Sequence, residues 1–224
     1  MENTFTKAER ETLLRLTDIM LEYNKKVNLT AITERHEIEE KHYLDCVKAL
    51  RLSESGGYVP RGTSVVDVGS GAGFPGVLWG LVRPDLQVTL LDSLKKRVDY
   101  LEHIKAELSL DYTATHGRSE ELSHAAEYRD RFGVATARAV ANMPALIELC
   151  LPLVKVGGFF IALKTDKYEG DITNALGSLG GELADVIDYR VGDNKRRLYV
   201  IAKNKPTEKS FPRKRVNITK NPII

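Results

Sequence analysis

The chain has 224 residues, 42% apolar and 29% charged, with a formal net charge of +2. Those values fit one sizeable α/β core with a small extension and need no second full domain. Apolar runs such as residues 157–163 are far too short to cross a bilayer, and two separated cysteines, Cys46 and Cys150, argue against a disulfide framework and a zinc site.

The N-terminus is polar and without a signal pattern, so a cytoplasmic protein is expected. Thr6 and Glu9 form a capping box, in which hydroxyl and carboxylate satisfy free backbone N–H groups. Leu13, Leu16, Met20, Tyr23 and Val27 follow at helical spacing as one apolar stripe. Asn24 and Asn28, four apart, should share a face of that helix. Thr33 can cap a second helix running to about Leu52, with Tyr43, Val47 and Leu50 inward and with His42 and Asp45 close enough to touch. The stretches 53–57 and 60–62 break the pattern and mark a boundary.

Short buried strands then alternate with helices. Strands are expected at 64–68, 87–91, 112–116, 134–137 and 159–163, and helices at 77–82, 95–108 and 144–154. This alternation predicts a doubly wound, mostly parallel sheet with helices on both faces. Segments 183–190 and 198–202 have no helix between them and should pair as an antiparallel hairpin. The end of the chain, with Pro206, Pro212 and Pro222, reads as extended and basic. From Lys203 onward seven lysines and arginines face Glu208 alone, a local +6 that leaves −4 for the rest. A basic tail on an acidic body suits a polyanionic partner, although such tails are often merely solvated. The expected division is 1–60 as a helical extension, 61–205 as a cofactor-binding domain and 206–224 as the tail.

The glycine-rich turn 69–76 carries the strongest signal. Bare backbone lets a ligand lie close, and the amides of the next helix face it. Residues 71–76 also fit the dinucleotide fingerprint Gly-x-Gly-x-x-Gly. Asp67, inside the end of the first strand, would set a negative charge where a pyrophosphate must sit. S-Adenosylmethionine has no phosphate and carries a sulfonium cation, so it tolerates that acid. Asp92 ends the second strand 19 residues after Gly73 and can accept both ribose hydroxyls, or else cap the following helix.

The turn is similar to the first motif of class I methyltransferases. The chain resembles, almost end to end, the RsmG (GidB) family of bacterial 16S ribosomal RNA guanine-N7 methyltransferases. The matching stretches are Asn28-Leu29-Thr30-Ala31-Ile32, Lys41-His42-Tyr43-Leu44-Asp45, residues 67–76, Leu90-Leu91-Asp92-Ser93 with Lys96-Arg97, Ala137-Arg138-Ala139, Ala162-Leu163-Lys164 and Phe211-Pro212-Arg213-Lys214. The resemblance implies a seven-stranded class I methyltransferase fold behind an N-terminal helical extension, and methylation of a guanine N7 in RNA of the small ribosomal subunit. It implies S-adenosylmethionine contacts at Gly69, Phe74, Ser119, Glu120 and Arg138, beside Gly71 and Gly73 read from the turn itself and Asp67 and Asp92 read from the strand ends. Position 119 is often Ala in the family, and Arg215-Val216-Asn217-Ile218 stands where a Pro-Gly-Thr-Pro-like stretch is expected, so the tail departs from the pattern.

Guanine N7 carries a lone pair at neutral pH, so methylation needs alignment rather than a general base. Arg138 and Lys164, at strand ends, are the expected positioning residues, since guanine O6 suits cationic donors. His42, Arg197, Arg213, Lys214 and Arg215 are the expected RNA contacts. The partner is 16S ribosomal RNA or the small subunit, with no metal, no DNA, no membrane and a monomeric chain expected. A small-molecule methyltransferase, a nicotinamide-dependent oxidoreductase and a non-catalytic RNA-binding module are the competing readings. The basic tail, Asp67 and the glycine turn respectively speak against them.

Overall fold

A computed structural model of the chain describes residues 4–138, 141–165 and 170–223. Ala139, within the Ala-Arg-Ala stretch, lies outside the described residues, as do the first three residues of the extension and the last of the tail. Seven strands form one sheet: β1 (Ser64–Val68), β2 (Gln87–Asp92), β3 (Thr113–His116), β4 (Phe132–Arg138), β5 (Val154–Lys164), β6 (Gly181–Val191) and β7 (Asn194–Lys203). Their order is β3-β2-β1-β4-β5-β7-β6. The first five are parallel, and β7 runs antiparallel to β5 and β6. The strand order reverses between β1 and β4, where a doubly wound sheet opens a crevice at its carboxyl edge.

Residue parity decides which helices cover which face. Val65, Val88, Leu90, Val134, Ile161, Leu163, Leu198 and Val200 join one buried cluster. Val66, Leu91, Ala135, Ala137, Phe160, Ala162, Tyr199 and Ile201, one residue out of step, join the other. The first cluster packs against α1 (Lys7–Asn24), α3 (Asp45–Ser55), α4 (Gly76–Val82) and α5 (Lys95–Leu108). The second packs against α7 (Met143–Cys150) and α8 (Thr173–Leu179). Each fully buried aliphatic side chain contributes about 1.5–3 kcal/mol. Because α1 and α3 share a core with the sheet, the N-terminal helices are bound into it. Trp79 Nε1 donates to Cys46 O at 3.0 Å, tying α4 to α3, and the Tyr43 and Thr17 hydroxyls meet at 2.7 Å.

Several expected elements differ. The second helix is not uniform: α2 (Arg35–Ile38) runs through a π-helical turn, Glu39–Leu44, into α3. Helix α1 ends at Asn24, so Asn28 lies outside it and the two asparagines do not share a helical face. Asn24 instead clamps the next loop: its Oδ1 accepts from the Leu29 and Thr30 amides at 2.8 and 3.1 Å, and its Nδ2 donates to Thr30 O. Helix α7 stops at Cys150, and β5 begins at Val154 rather than at Phe159. The pair Gly157-Gly158 is an irregularity within the strand, where register shifts against Phe132 and Val134. A Cβ on Gly158 would lie 2.5 Å from Gly133 O. Ahead of the tail, two helices escaped the sequence reading, α6 (Ser119–Leu122) and α8. Gly180, left-handed after Leu179, was the readable stop signal for α8. The tail is not simply extended: α9 (Arg215–Lys220) interrupts it. Among the described residues no helix is long and apolar enough to cross a membrane.

Candidate active site

The turn after β1 is held by β2. The Gly69 and Ser70 amides both donate to Leu91 O, at 2.7 and 3.1 Å. Asp92 Oδ2 accepts from the Gly71 amide and Oδ1 from the Leu94 amide, each at 2.9 Å, while Asp92 O accepts from Gly117 N after β3. One residue thus joins three strand ends. Gly71 has φ +57 and a Cβ there would find only Gly69 O, at 3.8 Å, so it would project toward open space. At Gly76 a Cβ would meet Leu90 Cδ2 at 2.3 Å and Asp67 Cβ at 2.9 Å, which fixes how closely α4 sits on the sheet. Asp67 Oδ2 accepts from the Gly76 amide at 3.0 Å. Its Oδ1 is buried without a partner. Burial pushes this carboxyl up to about 7, against the opposing pull of the Gly76 amide and the Arg138 charge.

A cleft of about 350 Å3 opens over the turn. Gly69, Gly71 and Phe74 line one side; Thr30, His42, Arg138, Lys164 and Arg196 line the other, with Lys41 and Arg97 at the same opening. Arg138, ending β4, is the centre of the second wall. Its NH1 donates to Lys41 O at 3.0 Å and its NH2 to His42 Nδ1 at 2.9 Å. It lies 5.5 Å over the Phe74 ring, and the His42 ring stacks on the same Phe74 at 4.9 Å. Asp45, 2% exposed, faces Arg138 NH1 at 3.6 Å and Arg196 Nε at 3.3 Å, and accepts from Tyr189 Oη at 2.8 Å. The spacing of His42 and Asp45 therefore brings both to Arg138 rather than to each other. Burial first, and the Arg138 charge second, push the His42 imidazole down to about 3, so it is neutral at physiological pH.

The other expected residues fall into four groups. Lys164, at the end of β5, donates to Ala141 O at 2.7 Å. Ser119 and Glu120 open α6, after β3, and are not among the residues that line the cleft: the Ser119 hydroxyl donates to Leu149 O, and Glu120, 8% exposed, keeps Oε1 without a hydrogen bond. Glu120 borders a neighbouring hollow shared with Arg118, Lys214 and Arg215. Arg197 pairs through two nitrogens with Asp188. Arg213 is engaged by Glu148, which is fully buried: backbone N, Nε and NH2 all reach its carboxylate. The fork that the tail was expected to offer to phosphates is thus committed to anchoring the tail. Lys214 and Arg215 remain exposed. Thr30, Lys41, Arg97 and Arg196 line the cleft but were missed as site residues; the matching stretches that contain Thr30, Lys41 and Arg97 hinted at those three, and nothing in the sequence pointed to Arg196.

The sheet order with its reversed strand and the glycine turn at the β1 edge define a class I methyltransferase. Solved structures agree on that fold: a mutant of MtNAS in complex with S-adenosylmethionine superposes with TM-score 0.61 at 15% identity, covering 88% of this chain and 76% of that one. A SAM-dependent methyltransferase from Aquifex aeolicus gives 0.53 at 15% identity, covering 75% and 93%. The chain matches the GidB family model, rRNA small subunit methyltransferase G, over residues 9–191, and it belongs to that family. Ribosomal RNA small subunit methyltransferase G of Clostridium perfringens (strain SM101 / Type A) is 42% identical over 98% of this chain and 92% of its own. The protein of that name from Clostridium botulinum (strain Loch Maree / Type A3) shows the same identity and coverage.

Proposed function

We propose that this protein methylates N7 of a guanine in 16S ribosomal RNA of the small subunit, using S-adenosylmethionine. The observation that carries the reading is one cleft with two unlike walls, a bare glycine turn backed by buried acids and a rim of Lys41, Arg97, Arg138, Lys164 and Arg196. The acids fit the cofactor. Asp67 Oδ1 is buried without a partner, and Glu120 Oε1, buried and without a hydrogen bond, faces Arg118 NH1 at 3.7 Å, so both carboxyls can serve donor groups of the ligand, and Gly71 leaves space where a side chain would stand. In this assignment Asp92 holds ribose hydroxyls, Gly69, Gly71 and Gly73 give backbone for the ligand to lie on, and Phe74, Ser119 and Glu120 complete its surround. When bound, S-adenosylmethionine supplies an electrophilic methyl group on sulfur.

The rim suits RNA, because clustered cations attract phosphates and the attraction weakens with salt. Guanine N7 needs no base, so the chain's task is to hold the purine in line and keep water out, worth about 7–11 kcal/mol when alignment is good. Lys164 and Arg138 position the substrate; His42, Arg197, Lys214 and Arg215 border its path. The division into an extension 1–60, a methyltransferase domain 61–205 and a tail 206–224 follows the same reading, with the extension supplying Thr30, Lys41 and His42 to the cationic wall. The test is incubation with methyl-labelled S-adenosylmethionine and unmethylated small subunits, followed by digestion of the RNA. Label in 7-methylguanosine at one site is expected; label in another nucleoside, or none, overturns the assignment.

A further inference from the structure

Proton accounting on the cationic wall singles out Thr30. Arg138 has donors only, and its NH2 lies 2.9 Å from His42 Nδ1. That nitrogen must therefore accept, and the neutral ring carries its proton on Nε2. Nε2 sits 3.1 Å from Thr30 Oγ1, so the imidazole donates to the hydroxyl. The Ile32 amide donates to the same oxygen at 3.1 Å. A threonine hydroxyl has two acceptor sites and one proton. Both acceptor sites are filled, and among the described residues no acceptor takes the proton. Thr30 lines the cleft facing Gly71, Phe74 and Arg138, and its backbone is clamped on both sides by Asn24. The hydroxyl is thus fixed in place and able only to donate.

We propose that Thr30 is a specificity-determining residue, a donor-only hydroxyl that recognises O6 of the target guanine while His42, set by Arg138, holds it in that role. The proposal rests on the guanine-N7 reading above. A donor at this point favours guanine, whose O6 accepts beside N7, over adenine, which presents an amino group there. It leaves N7 itself unengaged. His42 acts as a positioning residue, for its ring is spent on Arg138 and Thr30. The arrangement also gives the Arg138-His42-Thr30 line a purpose that a purely structural bond would not need, since it ends in the cleft rather than in the core.

The experiment uses full-length protein, S-adenosylmethionine and small-subunit RNA carrying either guanosine or 2-aminopurine riboside, which lacks O6, at the target position. Wild type is expected to lose roughly ten- to hundredfold in kcat/KM on 2-aminopurine, the size of one specific base contact. Thr30→Val should lose a similar factor on guanosine, lose little more on 2-aminopurine, and bind S-adenosylmethionine as wild type does. Thr30→Ser, which keeps the hydroxyl, should retain most of the rate and the full 2-aminopurine penalty, and it serves as the readout if the valine variant does not fold. Losses that simply multiply, or a wild type indifferent to O6, overturn the role of Thr30 while leaving the methyltransferase reading standing. No 7-methylguanosine from wild type on guanosine overturns the reading beneath it.

Discussion

The two walls of the cleft are built by opposite strategies. The glycine wall comes from residues 67–92, one strand-turn-helix-strand stretch, and it works through backbone amides and two carboxylates. The cationic wall is assembled from Thr30, His42, Asp45, Arg138, Tyr189 and Arg196, scattered over most of the chain, and it works through side chains that hold one another. The first is rigid because glycine geometry and close packing permit nothing else. The second is rigid because Arg138, His42, Asp45 and Tyr189 hold one another across elements, with the Thr30 proton left to face the cleft. A local wall tolerates change elsewhere in the chain, whereas a distributed one fails when any contributor leaves.

The sharpest way to break that contrast is Asp45→Ala. It strands two partly buried guanidinium groups and the Tyr189 hydroxyl, and removal of one partner from such a cluster costs about 3 kcal/mol. Urea unfolding should show that loss, with cofactor affinity at the glycine wall much less affected. Equal damage to both would mean the walls are not independent. Next in size is Asp92→Ala. It orphans the Gly71 and Leu94 amides and removes the proposed ribose acceptor. Calorimetry should find S-adenosylmethionine binding weakened roughly a hundredfold, about 2.7 kcal/mol, and retained affinity would remove Asp92 from the site.

The smallest effect is expected from acid on the unaltered protein, because each wall holds one neutral group and the two lean in opposite directions. Unfolded histidine takes up a proton below about 6.5, whereas folded His42 refuses it until about 3, so its contribution to stability is full above 6.5 and is lost as pH falls. Folded Asp67 keeps its proton up to about 7 but releases it near 3.8 when unfolded, so its contribution is full below 3.8 and is lost as pH rises. Between about pH 4 and 6.5 the two slopes offset each other. Asp67→Asn removes one of them. Stability of that variant, followed by urea unfolding across this window, should fall with acid by up to about 1 kcal/mol per pH unit. A flat profile in the variant would show that His42 is not the group resisting protonation.

The same contrast explains what could be read without coordinates. The alternation of short apolar strands with helices, the capping box at Thr6 and the glycine turn are local patterns, and sheet class, the antiparallel hairpin and the place of Asp67 and Asp92 followed from them. Helix α8 was missed because seven residues with an internal glycine give too short a period to stand out. The π-helical turn at Glu39–Leu44 leaves no compositional mark, yet it sets the face on which His42 and Asp45 emerge. Arg213 looked like any other tail cation, since its partner Glu148 lies 65 residues away and is buried only once α7 and the tail meet.

By itself, then, the sequence determined the doubly wound sheet, the glycine turn and the acids behind it, because those features depend on residues near one another along the chain and on backbone geometry that few residue types allow. Only the tertiary structure decided which cations remain over the cleft and which are spent on ion pairs. It alone turned Thr30, from a loop after the first helix, toward the cleft with its oxygen filled. The physical reason is that a hydrogen bond's direction depends on which partners are present, and those partners come together only when the extension, β4 and the β6–β7 hairpin pack around Arg138.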